Sequence, residues 1–295
     1  MVPCLVVGAL IGRCRPLWIT PLATPLVRYG VPISLMGLLL HGGFNRSLLL
    51  MALLSVAVIG LMLALLRFSR SFSNVLVLPD LQLASCIGNT AYFGIPAALA
   101  LLPPEALPIS IGYDFGATLL AWGLGPLWLT KKSSHGVNDE RWSAFIRHLL
   151  ASPATRGLIG ALLVLATPWH EAISTSLWLP SRVVIVLALA VVGMRLGSIA
   201  KFGRPALSVS LTYPLLCKLL LFPTLMLLIS FSLPLPLLAR KALVLQAAAP
   251  TAISVLLMAE SEQCDAAPSA QLVLRSTLIA LVSVPLWSVV LNRLF

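Results

Sequence analysis

Long apolar runs that are almost free of charge dominate this sequence and decide what it can fold into. Of its 295 residues, 59% are hydrophobic and only 10% are charged, and the mean hydropathy is +1.00. Soluble domains carry about 25% charged and about 45–50% apolar residues, and a soluble fold of this length could not hide so much apolar surface. The sequence therefore predicts a bilayer protein. Because the runs are unbroken rather than alternating, we expect α-helices and not a β-barrel.

The apolar runs number ten and fall into two sets of five. A spanning helix needs about 20 mainly apolar residues. The first run is shorter than that, which implies a late start codon or a locally thinned bilayer. The runs are Val2–Ile11, Thr20–Leu40, Leu48–Phe68, Val75–Leu102, Leu107–Thr130, Gly157–Trp169, Leu177–Gly197, Leu207–Leu233, Ala242–Ala259 and Ala267–Leu294.

Basic residues outnumber acidic ones, 20 to 9, and lie mostly at the ends of the runs. There they act as topology signals and as contacts to anionic lipid. No dense basic patch with interleaved aromatic residues appears, so no nucleic-acid partner is expected.

With the N-terminus outside, the cytoplasmic connections hold more basic residues than the outer ones. This bias predicts a multi-pass protein of the cell (inner) membrane with both termini on the outer side. The inner set is Arg13, Arg15, Arg67, Arg70, Lys131, Lys132, Arg141, Arg147, Arg156, Lys201 and Arg204, and the outer set is Arg46, Arg182, Arg240, Lys241 and Arg293.

The longest polar stretch, KKSSHGVNDERWSAFIRHLLAS at residues 131–152, joins the two sets of runs on the cytoplasmic side. Trp142, Phe145, Ile146, Leu149 and Leu150 recur in it at helical spacing. This spacing predicts a short amphipathic helix on the inner leaflet, serving as a tether or as a regulatory element.

The two halves repeat each other weakly. Gly37–Leu40 (GLLL) is echoed by Gly193–Leu196 (GMRL), and Pro96 is echoed by Pro250. Each match pairs a run with the one five later, and because five is odd the second half must lie inverted in the membrane. We therefore predict an all-α integral membrane fold of ten transmembrane helices in two inverted five-helix repeats, residues 1–130 and 153–295, of the kind transporters use.

The fourth and ninth runs contain helix-breaking and polar residues near their middles. Glycine frees the backbone, and proline removes a hydrogen-bond donor. If both helices unwind there and cross, positive helix N-termini converge and offer a site for a carboxylate. The alternative is an ordinary proline kink with packing glycines. The residues are Gly88, Asn89, Thr90, Gly94 and Pro96 in the fourth run, and Gln246, Pro250, Thr251 and Ser254 in the ninth.

Three segments resemble the auxin efflux carriers and their bacterial relatives: GNTAYFGIPAALALL, LQAAAPTAISVLLMAE and VVGMRLGSIAK. The resemblance covers most of the chain and implies ten helices in two inverted repeats and the export of auxin-like weak acids or dicarboxylates such as malate. It assigns crossover roles to Asn89, Pro96, Gln246 and Pro250. Thr90 and Thr251 complete the expected substrate-binding set, with Gly88 and Gly94 as structural residues. The short first run, the short connector and a third run without an acidic residue depart from the plant pattern.

A charge deep inside a run is costly and therefore a functional hypothesis, and the four candidates are Arg28, Asp114, Lys218 and Arg275. The excess of positive charge favours an anionic substrate, although the two arginines could instead extend to lipid headgroups. Asp114, taken as the sole acid within a span, is interpreted either as a proton-coupling group or as the ion-pair partner of a buried cation.

These features predict a secondary transporter of a small organic anion that works by alternating access. The alternatives are an ion-coupled carrier of bile-acid-symporter or sodium–proton-antiporter architecture, and a membrane receptor or scaffold that does not transport. No catalytic motif points to an enzyme. The five cysteines are scattered without a C-x-x-C pair, so no metal, disulfide or cofactor is expected. A homodimer is compatible with the sequence.

Overall fold

The computed structural model describes residues 2–43, 46–69, 76–129, 143, 146–147, 149–150, 153–201 and 210–295. These residues are almost entirely helical and form no strand, only one isolated antiparallel bridge between Gly88 and Thr251. The all-α class is therefore confirmed. Most of the connector that was predicted as an amphipathic helix, 131–152, lies outside the described residues.

We number the described helices α1 to α12. The first six are α1 (Val2–Cys14), α2 (Pro16–Gly42), α3 (Arg46–Phe68), α4 (Pro79–Cys86), α5 (Thr90–Leu101) and α6 (Leu107–Leu129). The next six are α7 (Pro153–Leu165), α8 (His170–Lys201), α9 (Thr212–Phe231), α10 (Leu237–Ala247), α11 (Ile253–Ser261) and α12 (Ala267–Leu294). Within this part of the chain, five helices are long and apolar enough to cross a membrane: α2, α3, α8, α9 and α12.

Three helices contain a single widened π turn, and each turn is followed by a proline. The turns are Leu26–Gly30, Thr90–Gly94 and Cys217–Leu221, and the prolines are Pro32, Pro96 and Pro223. A proline ring clashes with the carbonyl four residues earlier and cannot donate to it. In each case that carbonyl belongs to the π turn, so the widened turn relieves the clash without ending the helix.

The described chain packs as two compact units. The first unit is Met1–Arg46 with Ile146–Arg204, and the second is Ser47–Phe145 with Pro205–Phe295. The first unit contains the predicted second and seventh spans, and the second contains both interrupted spans. Each unit draws on both halves of the sequence, so packing does not follow the predicted repeats. The repeat boundaries stay a prediction.

Glycines let α1 and α8 pack backbone to backbone in the first unit. A Cβ at any of four glycines would overlap a backbone carbonyl of the facing helix. Small residues allow membrane helices to approach closely. The two G-x-x-x-G patterns, one on each helix, therefore determine where α1 and α8 contact each other. The contacts are Gly8 with Ala190, Gly12 with Met194, Gly193 with Leu5 and Gly197 with Ala9.

Similar glycine contacts occur within the second unit. Gly112 and Gly116 of α6 face the backbone carbonyls of Leu48 and Ala52 on α3. The centre of the unit is occupied by α4, α5, α10 and α11, whose inner residues are almost all buried. This packing holds the two interrupted helices in the interior of the second unit.

Candidate functional site

The two interrupted helices cross each other through short segments of extended backbone. Ile87, between α4 and α5, and Ala252, between α10 and α11, both have extended backbone angles. The Asn89 N–H donates to the Pro250 carbonyl at 2.7 Å, and the Ala252 N–H donates to the Ile87 carbonyl at 3.0 Å. These bonds satisfy backbone groups that the broken helices leave unpaired, which is the condition for irregular backbone at membrane depth.

The crossing brings four helix ends together. Helices α4 and α10 end at Cys86 and Ala247, and helices α5 and α11 begin at Thr90 and Ile253. The ends of α4 and α10 carry partial negative charge, and the starts of α5 and α11 carry partial positive charge. The crossover can therefore hold both a cation and an anion.

Asn89 lies at the start of α5 with its side chain uncommitted. Its backbone carbonyl accepts hydrogen bonds from the N–H groups of Phe93 and Gly94, both at 3.0 Å. Its side chain makes no capping hydrogen bond, and the residue is 6% exposed. An asparagine at this position normally caps its own helix, so the free amide is available to a ligand.

Thr90 is hydrogen-bonded to Asp114. The Thr90 hydroxyl donates to Asp114 Oδ1 at 2.5 Å, and Asp114 is 1% exposed. The second carboxylate oxygen, Oδ2, is buried without a partner among the described residues, as is the Tyr92 hydroxyl. No described cation pairs with Asp114, so the ion pair considered from sequence is not observed.

Thr251 fixes the crossover rather than presenting a free group. Its hydroxyl donates to the Ala84 carbonyl at 2.8 Å, and its N–H donates to Ser276 Oγ at 3.1 Å. Ser276, on α12, was not singled out from the sequence. A serine in an apolar run gives no signal of its own, because such hydroxyls commonly bond to their own helix.

Gln246, the second-to-last residue of α10, is completely buried. Both atoms of its amide lack a hydrogen-bond partner within the described residues. A Cβ at Gly94 would overlap the Gln246 side-chain oxygen. Gly94 is therefore required to admit this amide beside α5.

Lys218 reaches the crossover from α9. It is completely buried, and its Nζ donates to the Ala247 carbonyl at 2.8 Å. The Nζ also lies 4.7 Å from the centroid of the Phe222 ring. A Cβ at Gly88 would come within 3.2 Å of the Nζ. The sequence indicated the depth of Lys218 in the membrane but not its partners.

The two arginines differ in exposure. Arg28 is exposed in the first unit, with its guanidinium 5.4 Å from the ring centroid of Tyr29. An exposed side chain is what the alternative predicts in which Arg28 extends to lipid headgroups. Arg275 is half-buried on α12, and its guanidinium makes no hydrogen bond within the described residues.

The prediction that Asp114 is the sole acid within a span is wrong. Asp80 lies inside the fourth run, is 4% exposed, and accepts a hydrogen bond from Ser269 Oγ at 2.6 Å. Nearby, Gln82 Nε2 donates to the Leu76 carbonyl at 2.7 Å, and Trp128 Nε1 donates to Gln82 Oε1 at 3.2 Å. The polar pair in P-D-L-Q, within an apolar run, was a signal that could have found both.

The described residues contain no group of three or more His, Cys, Asp or Glu side chains that could hold a metal ion. The hydrogen-bond donors at the crossover include the Asn89 amide, the N-terminus of α5 and the Lys218 ammonium, which also bonds the Ala247 carbonyl. Such donors suit a carboxylate or another oxyanion.

Comparison with known proteins places this geometry in context. Residues 140–288, half of the chain, match a family described as membrane transport protein. An uncharacterized transporter of Methanothermobacter thermautotrophicus strain Delta H is 28% identical over 211 residues, which cover 72% of this chain and 67% of that protein. The family match spans α7 to α11 and most of α12, and so includes the second crossover segment.

Proposed function

Because the chain belongs to the membrane transport protein family, we propose that this multi-pass transporter is a secondary carrier of a small organic anion. The family includes the auxin efflux carriers that the sequence resembles. The observation that carries the proposal is the paired crossover, with an uncommitted Asn89 amide at a helix N-terminus. Auxin-like weak acids and small dicarboxylates are the proposed substrate classes.

The charged groups at the crossover favour an anionic substrate over a cationic one. Lys218 places a buried positive group at the crossover, and the described residues supply no carboxylate to pair with it. The helix starts at Thr90 and Ile253 add partial positive charge. A bound carboxylate would be balanced by these groups, whereas an organic cation would be repelled.

Asn89 is the proposed primary ligand of the substrate carboxylate. Gln246 keeps both amide atoms free, but it is buried against Gly94, so its contact with substrate requires a second conformation of the crossover. The hydroxyls of Thr90 and Thr251 already donate to protein acceptors. We assign these two threonines to support of the site, with Pro250 keeping the second helix broken. Pro96 lies within α5, where the π turn accommodates its ring.

Alternating access is proposed to follow the division into two units. The second unit holds both crossover segments and would carry the substrate as one body. The proposed topology retains ten spans in two inverted repeats with both termini outside, the arrangement typical of carriers whose site lies at the bilayer midplane. The proposed location is the inner membrane of the cell.

Asp114 is the proposed proton-coupling group, because its Oδ2 is buried without a partner in the described structure. We expect Asp114→Asn to transport substrate without responding to an imposed proton gradient. The asparagine keeps an acceptor for the Thr90 hydroxyl but cannot exchange a proton. The measurement is substrate flux in proteoliposomes with and without a pH step.

Asp80→Asn is the matched control, since Asp80 is also buried but is bonded to Ser269 and lies outside the crossover. It should keep the gradient response of the wild type. An Asp114→Asn carrier with an unchanged gradient response would rule out the coupling role.

The proposed function is tested by charge displacement in proteoliposomes on a solid-supported membrane. A panel of carboxylates that includes malate and indole-3-acetate is applied, each in sodium and in choline buffer. A saturable current of the sign of an entering anion supports the carrier. A current that appears only in sodium would favour an ion-coupled symporter instead.

A further inference from the structure

Lys218 is the least expected side chain in the structure. It is a lysine with no exposed surface, inside a helix of a membrane protein. Such charges are normally paired with an acid or placed next to water. Within the described residues Lys218 has neither, and its one hydrogen bond is to the Ala247 carbonyl at 2.8 Å.

That carbonyl is the last one in α10, at the broken end of the helix. Gly88, two residues beyond the end of α4, is also close to the ammonium, because a Cβ on Gly88 would be 3.2 Å from Lys218 Nζ and 3.4 Å from the Ala249 carbonyl oxygen. The ammonium therefore lies at the negative end of α10 and beside the break that follows α4. The Phe222 ring, 4.7 Å from the Nζ, adds a third favourable surface for a cation.

In carriers built on broken helices, unwound carbonyls and half-helix C-termini coordinate the coupling sodium ion or proton. In this protein the ammonium of Lys218 occupies such a position, at the end of α10. We propose that the Lys218 ammonium is a tethered cation that takes the place of a coupling metal ion at the crossover. The carrier then needs no sodium to hold its crossover together.

Two local features fit this arrangement. Gly88 leaves the space that the ammonium occupies, since any side chain there would press on Nζ. The π turn Cys217–Leu221 places Lys218 in a widened part of α9, a feature often found at functional sites. Only the statement about coupling rests on the proposed function, because the cation itself is a property of the folded protein.

The test measures melting of the purified full-length protein without substrate, in choline, sodium or methylammonium chloride at equal concentration. The wild type should melt at the same temperature in all three salts. Lys218→Ala should melt lower in choline and regain stability, in a saturable way, with methylammonium or sodium. Lys241→Ala is the control and should respond to no salt, because Lys241 is only half-buried and its ammonium is bonded to Asn292.

Two results would overturn the proposal. One is a saturable rise of the wild-type melting temperature with sodium, which would mean that an open cation site remains. The other is a Lys218→Ala variant that melts like the wild type and responds to no cation. If that variant cannot be purified in any salt, Lys218→Met decides, since it keeps the length of the side chain but removes its charge and should therefore melt lower than the wild type in all three salts. A Lys218→Met protein that melts like the wild type contradicts the proposal, and because no substrate is present a failed flux assay leaves it standing.

Discussion

Asn89→Ala is expected to lose carboxylate transport while the protein still folds. The side chain makes no hydrogen bond to the protein in the described structure, so its removal breaks no internal hydrogen bond. It does remove the proposed donor to the substrate. Hydrogen bonds to charged groups contribute about 1.5–3 kcal/mol, and each 1.4 kcal/mol is tenfold in affinity. We therefore expect affinity for the carboxylate to fall about tenfold to a hundredfold.

The measurement pairs substrate affinity with melting temperature for the same preparation. Asn292→Ala is the control, because Asn292 is an exposed asparagine at the far end of α12 that bonds Lys241. Asn292→Ala should keep wild-type affinity. Normal affinity in Asn89→Ala would remove Asn89 from the site, and a large drop in its melting temperature would assign it a structural role instead.

Gly193→Ala is expected to disrupt the first unit. The added methyl group would overlap the Leu5 carbonyl on α1, and a backbone carbonyl cannot rotate away as a side chain can. Overpacking of this kind costs about 1–3 kcal/mol and occasionally more. Because the reciprocal contacts of Gly8, Gly12 and Gly197 share the same interface, separation of α1 and α8 weakens them together.

Gly60→Ala provides a matched control for this substitution. Gly60 also lies inside a long helix, α3, but nothing lies within 4 Å of where its Cβ would be. Both substitutions gain about 1 kcal/mol of helix propensity. The difference between their melting temperatures therefore reports only the packing of α1 against α8. Thermal melting of both variants in the same detergent is the measurement. Equal melting temperatures would show that α1 and α8 do not pack as closely as described.

The sequence predicted the class of protein and the positions where helices break. Both results follow from local chemistry, since long apolar runs require a bilayer and a glycine or proline in such a run interrupts hydrogen bonding. The structure places Asn89 and Pro250 in the two breaks, paired with each other, whereas Gln246 and Pro96 lie in the helices beside the breaks.

The partners of these residues could not be predicted in the same way. The Lys218 ammonium bonds a carbonyl that lies 29 residues away, and Thr251 bonds one 167 residues away. Backbone acceptors carry no side-chain signal, so only the three-dimensional crossing reveals them. The exposure of Arg28 could not be predicted either, because depth along a run does not say which face of a helix a long side chain occupies.

The most direct test of the central claim is counterflow of a labelled carboxylate into proteoliposomes that contain the same unlabelled acid. Counterflow requires a carrier with a saturable site and detects exchange whether or not it moves net charge. We predict that at least one of malate and indole-3-acetate accumulates transiently, and that Asn89→Ala abolishes the accumulation. Folded protein that shows no counterflow with any carboxylate would contradict the proposal that this transporter carries organic anions.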